Sequence, residues 1–200
     1  MTQHFPTLVH PGYSPAWHED LASIAIASVL KHVQEGRLPL FAGTLGLPQP
    51  ERLSIVDACS PENNKPAEMP EQEYAAILAT CPPEFLDLVQ LLLDHRSAYS
   101  DQHADWLARA IAAATFGTRH LWQDLGLSGR TQVSALLSNY FPSLHRRNVQ
   151  DLKWKKFLYA ELGLRQGNPG LRPPECNHCD QFRICFPEAE KMGKDAVHQK

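Results

Sequence analysis

The sequence contains no hydrophobic run long enough to cross a membrane. The longest candidate, LASIAIASVL at 21–30, is about half of the roughly 20 residues that a spanning helix needs. The first residues, MTQHFPTLVHPGYSPAW, lack a basic start followed by an apolar run, so no secretory signal is expected. Five cysteines, an odd number without an export signal, favour reduced thiols over a disulfide framework. We therefore expect a cytoplasmic protein that makes no membrane contact.

The sequence also lacks the short motifs that mark familiar enzyme active sites. It contains no G-x-S-x-G nucleophile motif, no H-E-x-x-H zinc motif and no G-x-x-x-x-G-K-[ST] phosphate loop. Acidic residues (22) slightly outnumber lysine and arginine (19), and the net charge is -3. Such a charge gives no overall attraction to nucleic acid. We expect a binding or carrier protein and not an enzyme, with no nucleic acid among its partners.

Alternation of Val, Ile or Thr with polar residues, which would indicate a half-buried strand, is missing from the chain. Apolar residues recur at helical spacing instead, so we predict an all-α fold, a helical bundle-like domain with a cysteine-bearing loop near the C-terminus. Proline and glycine punctuate the chain between these helices. The predicted divisions are an N-terminal arm and helix (1–37), a Pro-rich loop or linker (38–72), a helical core (73–163) and a Cys-rich metal-binding loop and tail (164–200).

Capping residues, prolines and glycines predict the ends of several helices. Pro15 suits the first position of an N-terminal helix, and Pro142 is expected to interrupt the helix TQVSALLSNYF. Asn148, followed three residues later by Asp151, resembles a capping box and predicts the start of the helix VQDLKWKKFLYAEL. Gly163 is the predicted end of that helix.

The strongest chemical signal is ECNHCDQFRICFP at 175–187, which contains three of the five cysteines. Cys176, Cys179 and Cys185 follow the pattern C-x2-C-x5-C. Two thiolates separated by two residues can face one metal from a tight turn, and the third thiol can close over the same site. Thiolates are soft ligands that suit zinc or iron–sulfur clusters and do not suit magnesium or calcium. The spacing therefore predicts a metal centre held by these three residues.

The spacing alone does not decide between zinc and an iron–sulfur cluster. Zinc requires four ligands, and the fourth would be His178 or His198. In that case the metal would fold the tail of a zinc-stapled protein-interaction module. Three thiolates instead saturate a three-iron cluster, or leave one metal of a cubane cluster open for another ligand. An open position of this kind suits a protein that hands a metal to a recipient.

Beyond the cysteines, the run LSNYFPSLHRRNVQDLKWKKFLYAEL followed by ECNHCDQFRICF resembles the NifQ family. HLWQDLGL (120–127) and LVQLLLDHRS (88–97) are also similar to that family, and the likeness covers about residues 82–187. The resemblance implies an iron–sulfur and molybdenum-binding protein that donates molybdenum during assembly of the nitrogenase iron–molybdenum cofactor. It also implies two partners, the cofactor-assembly scaffold and the nitrogenase iron protein.

The chain departs from the family at one cysteine. The family pattern is C-x4-C-x2-C-x5-C, and Cys176, Cys179 and Cys185 match its last three positions, whereas the first position falls on Leu171. Leucine cannot bind a metal. The resemblance therefore implies that the cluster is held by three thiolates, recruits another residue, or is lost. His120 lies in a family-like stretch and is the histidine that we predict as a further metal neighbour.

A basic stretch, RRNVQDLKWKK at 146–156, precedes the cysteines. Helical spacing places Trp154, Phe157 and Leu158 on the core side and the lysines outside. Such a patch can dock an acidic partner, attract the oxyanion molybdate, or offset the charge of a thiolate cluster, and a solvated helix face is the common alternative. Its cations are Arg146, Arg147, Lys153, Lys155 and Lys156.

Overall fold

Every regular element is helical in the computed structural model, which describes residues 15–59, 68–98, 102–178 and 181–187. This confirms the predicted all-α class. No single helix in these residues is long and apolar enough to cross a membrane, and only the pair Glu71–Leu78 and Pro83–Asp94, bent by 78°, passes that test together. The helices are α1 (Pro15–Gln34), α2 (Gln49–Cys59), α3 (Glu71–Leu78), α4 (Pro83–Asp94), α5 (Gln102–Ala114), α6 (Leu121–Asp124), α7 (Arg130–Tyr140), α8 (Pro142–Arg147), α9 (Trp154–Gln166) and α10 (Phe182–Cys185), with short 3-10 helices at Leu40–Thr44 and Cys176–His178.

Helix α5 lies at the centre of the core, where it packs against α1 and α4. It is rich in alanine, and Ala108, Ala110 and Ala112 are fully buried, so neighbouring helices can approach closely. Helix α4 buries Phe85 and Leu88 from an apolar stripe at the predicted helical spacing. Each large apolar side chain buried in this way contributes about 1.5–3 kcal/mol. Helix α9 packs against α4 and closes the same core.

The prediction of an irregular loop or linker over 38–72 was wrong for part of that segment. Helix α2 forms there, and it tolerates Pro50 because this proline lies in its first turn, where a missing backbone N–H breaks no intrahelical hydrogen bond. Phe41, in the preceding 3-10 helix, packs edge-on against Phe85 and Phe116, with ring centroids 5.8 and 5.1 Å away. The described residues 38–59 of this segment therefore contribute side chains such as Phe41 and Ile55 to the core.

The prediction that Asn148 caps a helix was wrong, since α9 begins only at Trp154. The Asn148 side chain instead closes a loop, because its amide donates to the carbonyl of Leu152 and its Oδ1 accepts from the Leu152 N–H, both at 2.9 Å. Asp151 within that loop has a left-handed backbone conformation with φ 51°, which asparagine and aspartate tolerate better than most residues.

The predicted end of α9 at Gly163 was also wrong, because the helix continues for three more residues and ends before Gly167. Gly167 has φ 69° and forms the left-handed C-cap. Gly163 has a different role. A Cβ there would lie 2.3 Å from the carbonyl oxygen of Asn168, so glycine lets the chain fold back against the helix.

After this turn the chain runs back along the helical body as a C-terminal segment, comprising residues 171–178 and 181–187. Leu171 packs against the core at its start. Two lysines at the start of α9 hold the far end, since Lys153 donates to the side chain of Gln181 and Lys156 donates to the backbone carbonyl of Cys185. The segment therefore lies beside the first turn of α9.

Candidate functional site

A pocket of about 340 Å³ opens where the loop before α6, the start of α9 and the C-terminal segment meet. Its walls come from sequence positions far apart, so only the fold assembles it. Part of the wall is apolar, from side chains such as Leu121 and Val133. The polar lining residues include Arg119, His120, Arg130, Lys153, Lys155, Lys156, Glu175, Cys176, Gln181 and Cys185.

Three of the four predicted metal-site residues line this pocket. Cys176 and Cys185 contribute from the C-terminal segment, and His120 contributes from the loop before α6. Cys179 lies outside the described residues. No group of three or more His, Cys, Asp or Glu side chains in the described ranges is arranged to hold a metal ion. The ligand roles of the four residues therefore stay predictions.

The start of α6 positions His120. The His120 N–H donates to Oε1 of Gln123 at 3.0 Å, which is one half of a capping-box arrangement. The His120 ring stacks on the ring of Trp122, with centroids 6.5 Å apart and planes inclined by 16°. Backbone and ring are thus both held by neighbours from α6.

A buried carboxylate, Asp124, anchors two of the cations in the pocket wall. The Asp124 side chain is fully buried, and its two oxygens accept from Lys155 Nζ at 2.7 Å and from Arg119 Nε at 3.0 Å. Lys155 also donates to the carbonyl of Gly117 at 2.7 Å. The prediction that the lysines of this stretch lie outside was wrong for Lys155, which is only 8% exposed, because Asp124 pairs with it inside the protein.

The residues around Asp124 are tightly packed. A Cβ on Gly117 would lie 2.3 Å from Oδ2 of Asp124 and 2.7 Å from Cδ2 of Leu38. Nδ1 of the buried His32 lies 3.0 Å from the backbone carbonyl oxygen of Asp124 and donates to it. The wall that carries Lys155 and Arg119 is therefore supported from α1 as well as from α6.

The predicted basic patch divides into two parts. Its three lysines line the pocket. Arg147 lies outside the pocket and forms an ion pair with Glu161 at 2.7 Å. Arg130, which sequence analysis did not single out, joins the lysines in the pocket and is fixed by Asp151 at 2.6 Å. Arg119 was also missed. Neither arginine carries a local sequence signal, because their acidic partners lie 5 and 21 residues away along the chain.

The pocket lining carries an excess of positive charge. Five cations line it, and the carboxylates among or paired with them are Glu175, Asp124 and Asp151. The formal excess is two positive charges. A pocket of this polarity favours anionic ligands, which include thiolate-bound metal clusters and oxyanions.

The two remaining cysteines do not line the pocket. Cys59 and Cys81 are partly buried and pack against the core. Burial raises the pKa of both thiols, and it raises that of Cys81 to about 11. Thiols of this kind stay protonated at neutral pH and are poor metal ligands. Leu171, at the first cysteine position of the family pattern, likewise packs against the core.

A buried tyrosine lies near Cys176. Burial raises the pKa of Tyr159 above its usual range, and the charges of Glu84 and Cys176 raise it further. The Tyr159 side chain is 1% exposed. Cys176 is thus near the buried interior on one side and lines the pocket on the other.

Together, the fold and the pocket define an all-helical protein that gathers C-terminal thiols and several cations around one cavity. The NifQ family model matches residues 25–187, which is most of the chain. The chain therefore belongs to the NifQ family, which is involved in molybdenum handling for the nitrogenase cofactor. This confirms the resemblance noted from the sequence.

Three relatives indicate how far the similarity extends. Protein NifQ of Azotobacter vinelandii is 42% identical over 103 residues, which cover 52% of each chain. Protein NifQ of Rhodobacter capsulatus is 28% identical over 184 residues, covering 92% of this chain and 97% of that one. A NifQ homolog of Sinorhizobium fredii is 36% identical over 115 residues, covering 58% of this chain and 50% of that one. No solved structure matches the chain.

Proposed function

We propose that this protein binds an iron–sulfur cluster carrying molybdenum and donates the molybdenum for biosynthesis of the nitrogenase iron–molybdenum cofactor. It would act in the cytoplasm as a metal carrier and not as a catalyst. The observation that supports the proposal is that Cys176 and Cys185, which match the family's cysteine pattern, line one pocket together with His120.

The donor set fits such a cluster in charge and in ligand type. Cys176, Cys179 and Cys185 would hold the cluster as thiolates, either as a three-iron or as a cubane cluster, and His120 is a further metal neighbour. When bound, the cluster would supply sulfide ligands for molybdenum. The excess positive charge of the lining offsets the negative charge of the thiolates, so that anionic ligands can gather in a partly apolar pocket.

Delivery of molybdenum requires that the site be reachable by a recipient. The thiols lie on the C-terminal segment, where α10 has no buried residue and Ile184 is 74% exposed. The partners that we propose, on the strength of the family, are the cofactor-assembly scaffold and the nitrogenase iron protein. Either could approach the pocket from the side of this segment.

The test is metal analysis of the anaerobically purified protein, with iron, acid-labile sulfide, molybdenum and zinc measured per chain and an absorption spectrum recorded. We expect iron, sulfide and molybdenum in the wild type, and loss of most of all three in the Cys176→Ser and Cys185→Ser variants. Cys81→Ser is the matched control, since this cysteine lies outside the pocket, and it should retain the metals.

Two results would contradict the proposal. A colourless protein with one zinc and no sulfide would support the zinc-stapled interaction module instead. Metal content that is unchanged in Cys179→Ser and Cys185→Ser would show that the cysteine motif holds no metal. Transfer is tested separately, by incubating molybdenum-loaded protein with the purified scaffold and measuring molybdenum on each after separation.

A further inference from the structure

The cations of the pocket form a feature that a thiolate cluster does not use for coordination. Lysine and arginine side chains are donors of hydrogen bonds and carry no lone pair for a metal at neutral pH. Four of them converge from three parts of the chain. Arg119 precedes α6, Arg130 begins α7, and Lys153 and Lys156 lie at the start of α9.

The two arginines are held in place at the pocket wall. Arg119 donates from Nε to Oδ1 of Asp124 at 3.0 Å and from Nη2 to the carbonyl of Gln123 at 3.3 Å. Arg130 donates to both carboxylate oxygens of Asp151, at 3.2 and 2.6 Å. A guanidinium has five N–H donors in a fixed plane, so these bonds orient each arginine without using all of its donors.

The two lysines differ from Lys155, whose charge is matched by Asp124. Lys153 contacts the side-chain amide oxygen of Gln181, and Lys156 contacts the backbone carbonyl of Cys185. Both acceptors are neutral oxygens, so these contacts do not balance the positive charges. Glu175 also lines the pocket and is included in the formal excess of two positive charges. An anion in the pocket would offer a stronger acceptor, since a hydrogen bond between two charged groups is about twice as strong as one between neutral groups.

We propose that Lys153 and Lys156, supported by Arg119 and Arg130, form a binding site for a small tetrahedral oxyanion next to the cysteines. The pocket of about 340 Å³ greatly exceeds the roughly 15 Å³ that holds one water molecule, so it has room for an ion of five heavy atoms. The choice of molybdate as the natural ligand rests on the proposed function. The site itself rests only on the arrangement of the cations, and it involves binding without a change in oxidation state.

The experiment is isothermal titration of the metal-free, full-length protein with sodium molybdate, followed by titrations with sulfate. We expect saturable binding of one molybdate per chain. Lys153→Gln and Lys156→Gln should each weaken it about tenfold or more, because each removes a charge-assisted hydrogen bond. Lys156→Arg should restore most of the affinity. Arg147→Gln is the control, since Arg147 is an exposed cation paired with Glu161 outside the pocket, and it should bind as the wild type does.

The outcomes separate this site from the proposed cluster. Cys176→Ser and Cys185→Ser should keep molybdate binding even where they abolish iron and sulfide, so either proposal can fail alone. No saturable binding, or an equal loss of affinity in Arg147→Gln and Lys156→Gln, would overturn the site. Sulfate binding as tight as that of molybdate would support an oxyanion site and overturn molybdate as its selective ligand. Circular dichroism of each variant identifies any that fails to fold.

Discussion

The helical body and the C-terminal segment are held by different kinds of contact. The body, residues 15–166 as described, encloses a continuous apolar core and a buried ion pair between Asp124 and Lys155. The segment is held at its far end by polar contacts and by a cation–π contact from Lys156, which lies 5.2 Å from the ring centre of Phe186. Within the segment, Arg172 lies 4.8 Å from the same ring centre. The pocket lies between the two, so one wall is rigidly packed and the other is lightly attached.

This difference separates stability from binding. Changes in the body should lower the free energy of unfolding, whereas changes in the segment should act mainly on the pocket. Four predictions test that separation, and they are given in order of decreasing change in stability.

Truncation of one phenylalanine on each side of the pocket should give the largest contrast. Phe157 on α9 is 3% exposed, and Phe157→Ala should lower the free energy of unfolding by about 3–5 kcal/mol through the cavity left in the core. Phe186→Ala in the segment should lower it by at most about 2 kcal/mol, because it removes two cation–π contacts worth about 0.5–1 kcal/mol each. Urea denaturation followed by circular dichroism measures both. Equal losses would show that the segment is part of the cooperative core.

Removal of the buried carboxylate is expected to be nearly as severe. Asp124→Asn leaves Lys155 buried without its counter-charge, and breaking a buried pair in this way costs about 3–5 kcal/mol. The control is Asp151→Asn, which breaks the exposed pair with Arg130, where the Asp151 side chain is 84% exposed, and should cost at most about 1 kcal/mol. Chemical denaturation of both variants gives the difference. A loss below about 1 kcal/mol for Asp124→Asn would mean that water reaches Lys155.

A single added methyl group tests how tightly the rigid wall is packed. Gly117→Ala places a carbon 2.3 Å from Oδ2 of Asp124, and relief of the clash should cost about 1–3 kcal/mol. Gly170→Ala is the matched change in the turn after α9, where the nearest atom to a new Cβ is Oδ1 of Asn168 at 3.7 Å, and its effect should stay within about 0.5 kcal/mol. Thermal denaturation should give a lower melting temperature for Gly117→Ala than for Gly170→Ala. Equal melting temperatures would contradict the tight packing around Gly117.

The smallest effect is a dependence of body stability on alkaline pH. Burial raises the pKa of Cys81 to about 11 from its ordinary value of 9.0. The unfolded thiol therefore ionises first, and its contribution to stability is fully present below pH 9 and is lost as the pH rises to about 11. Cys81→Ala should flatten the fall in stability across this window. Phe186→Ala, which removes no ionisable group, should leave that slope unchanged, and an identical slope in Cys81→Ala would contradict the prediction.

The fold could be predicted from the sequence where local chemistry decides it. Apolar spacing in α4 and the interrupting Pro142 gave correct helices, because each depends on residues within one or two turns. The first turn of α9 was misjudged because an asparagine that caps a helix and one that closes a loop look alike in sequence. Gly163 was misjudged because its reason for being glycine is the carbonyl of Asn168, which approaches from outside the helix.

The site could be predicted only in part for a similar reason. The cysteine spacing indicated Cys176 and Cys185, and the family-like stretch indicated His120, all of which line the pocket. Helical periodicity predicted that Lys155 lies in solvent. It carries no information about the carboxylate of Asp124, which is 31 residues away along the chain and pairs with Lys155. Arg119 and Arg130 were not predicted, because no sequence pattern links them to the cysteines.

The bonds that Arg119 donates to Asp124 and that Arg130 donates to Asp151 have a consequence for the proposed anion site. These side chains take up their orientation when the protein folds, so no rotamer freedom has to be surrendered by them when an anion arrives. Their N–H groups are already oriented when the anion enters, so less solvent has to reorient around its charge. The wall of the pocket formed by the helical body is thereby preorganised, whereas the wall that bears the thiols is attached by fewer contacts.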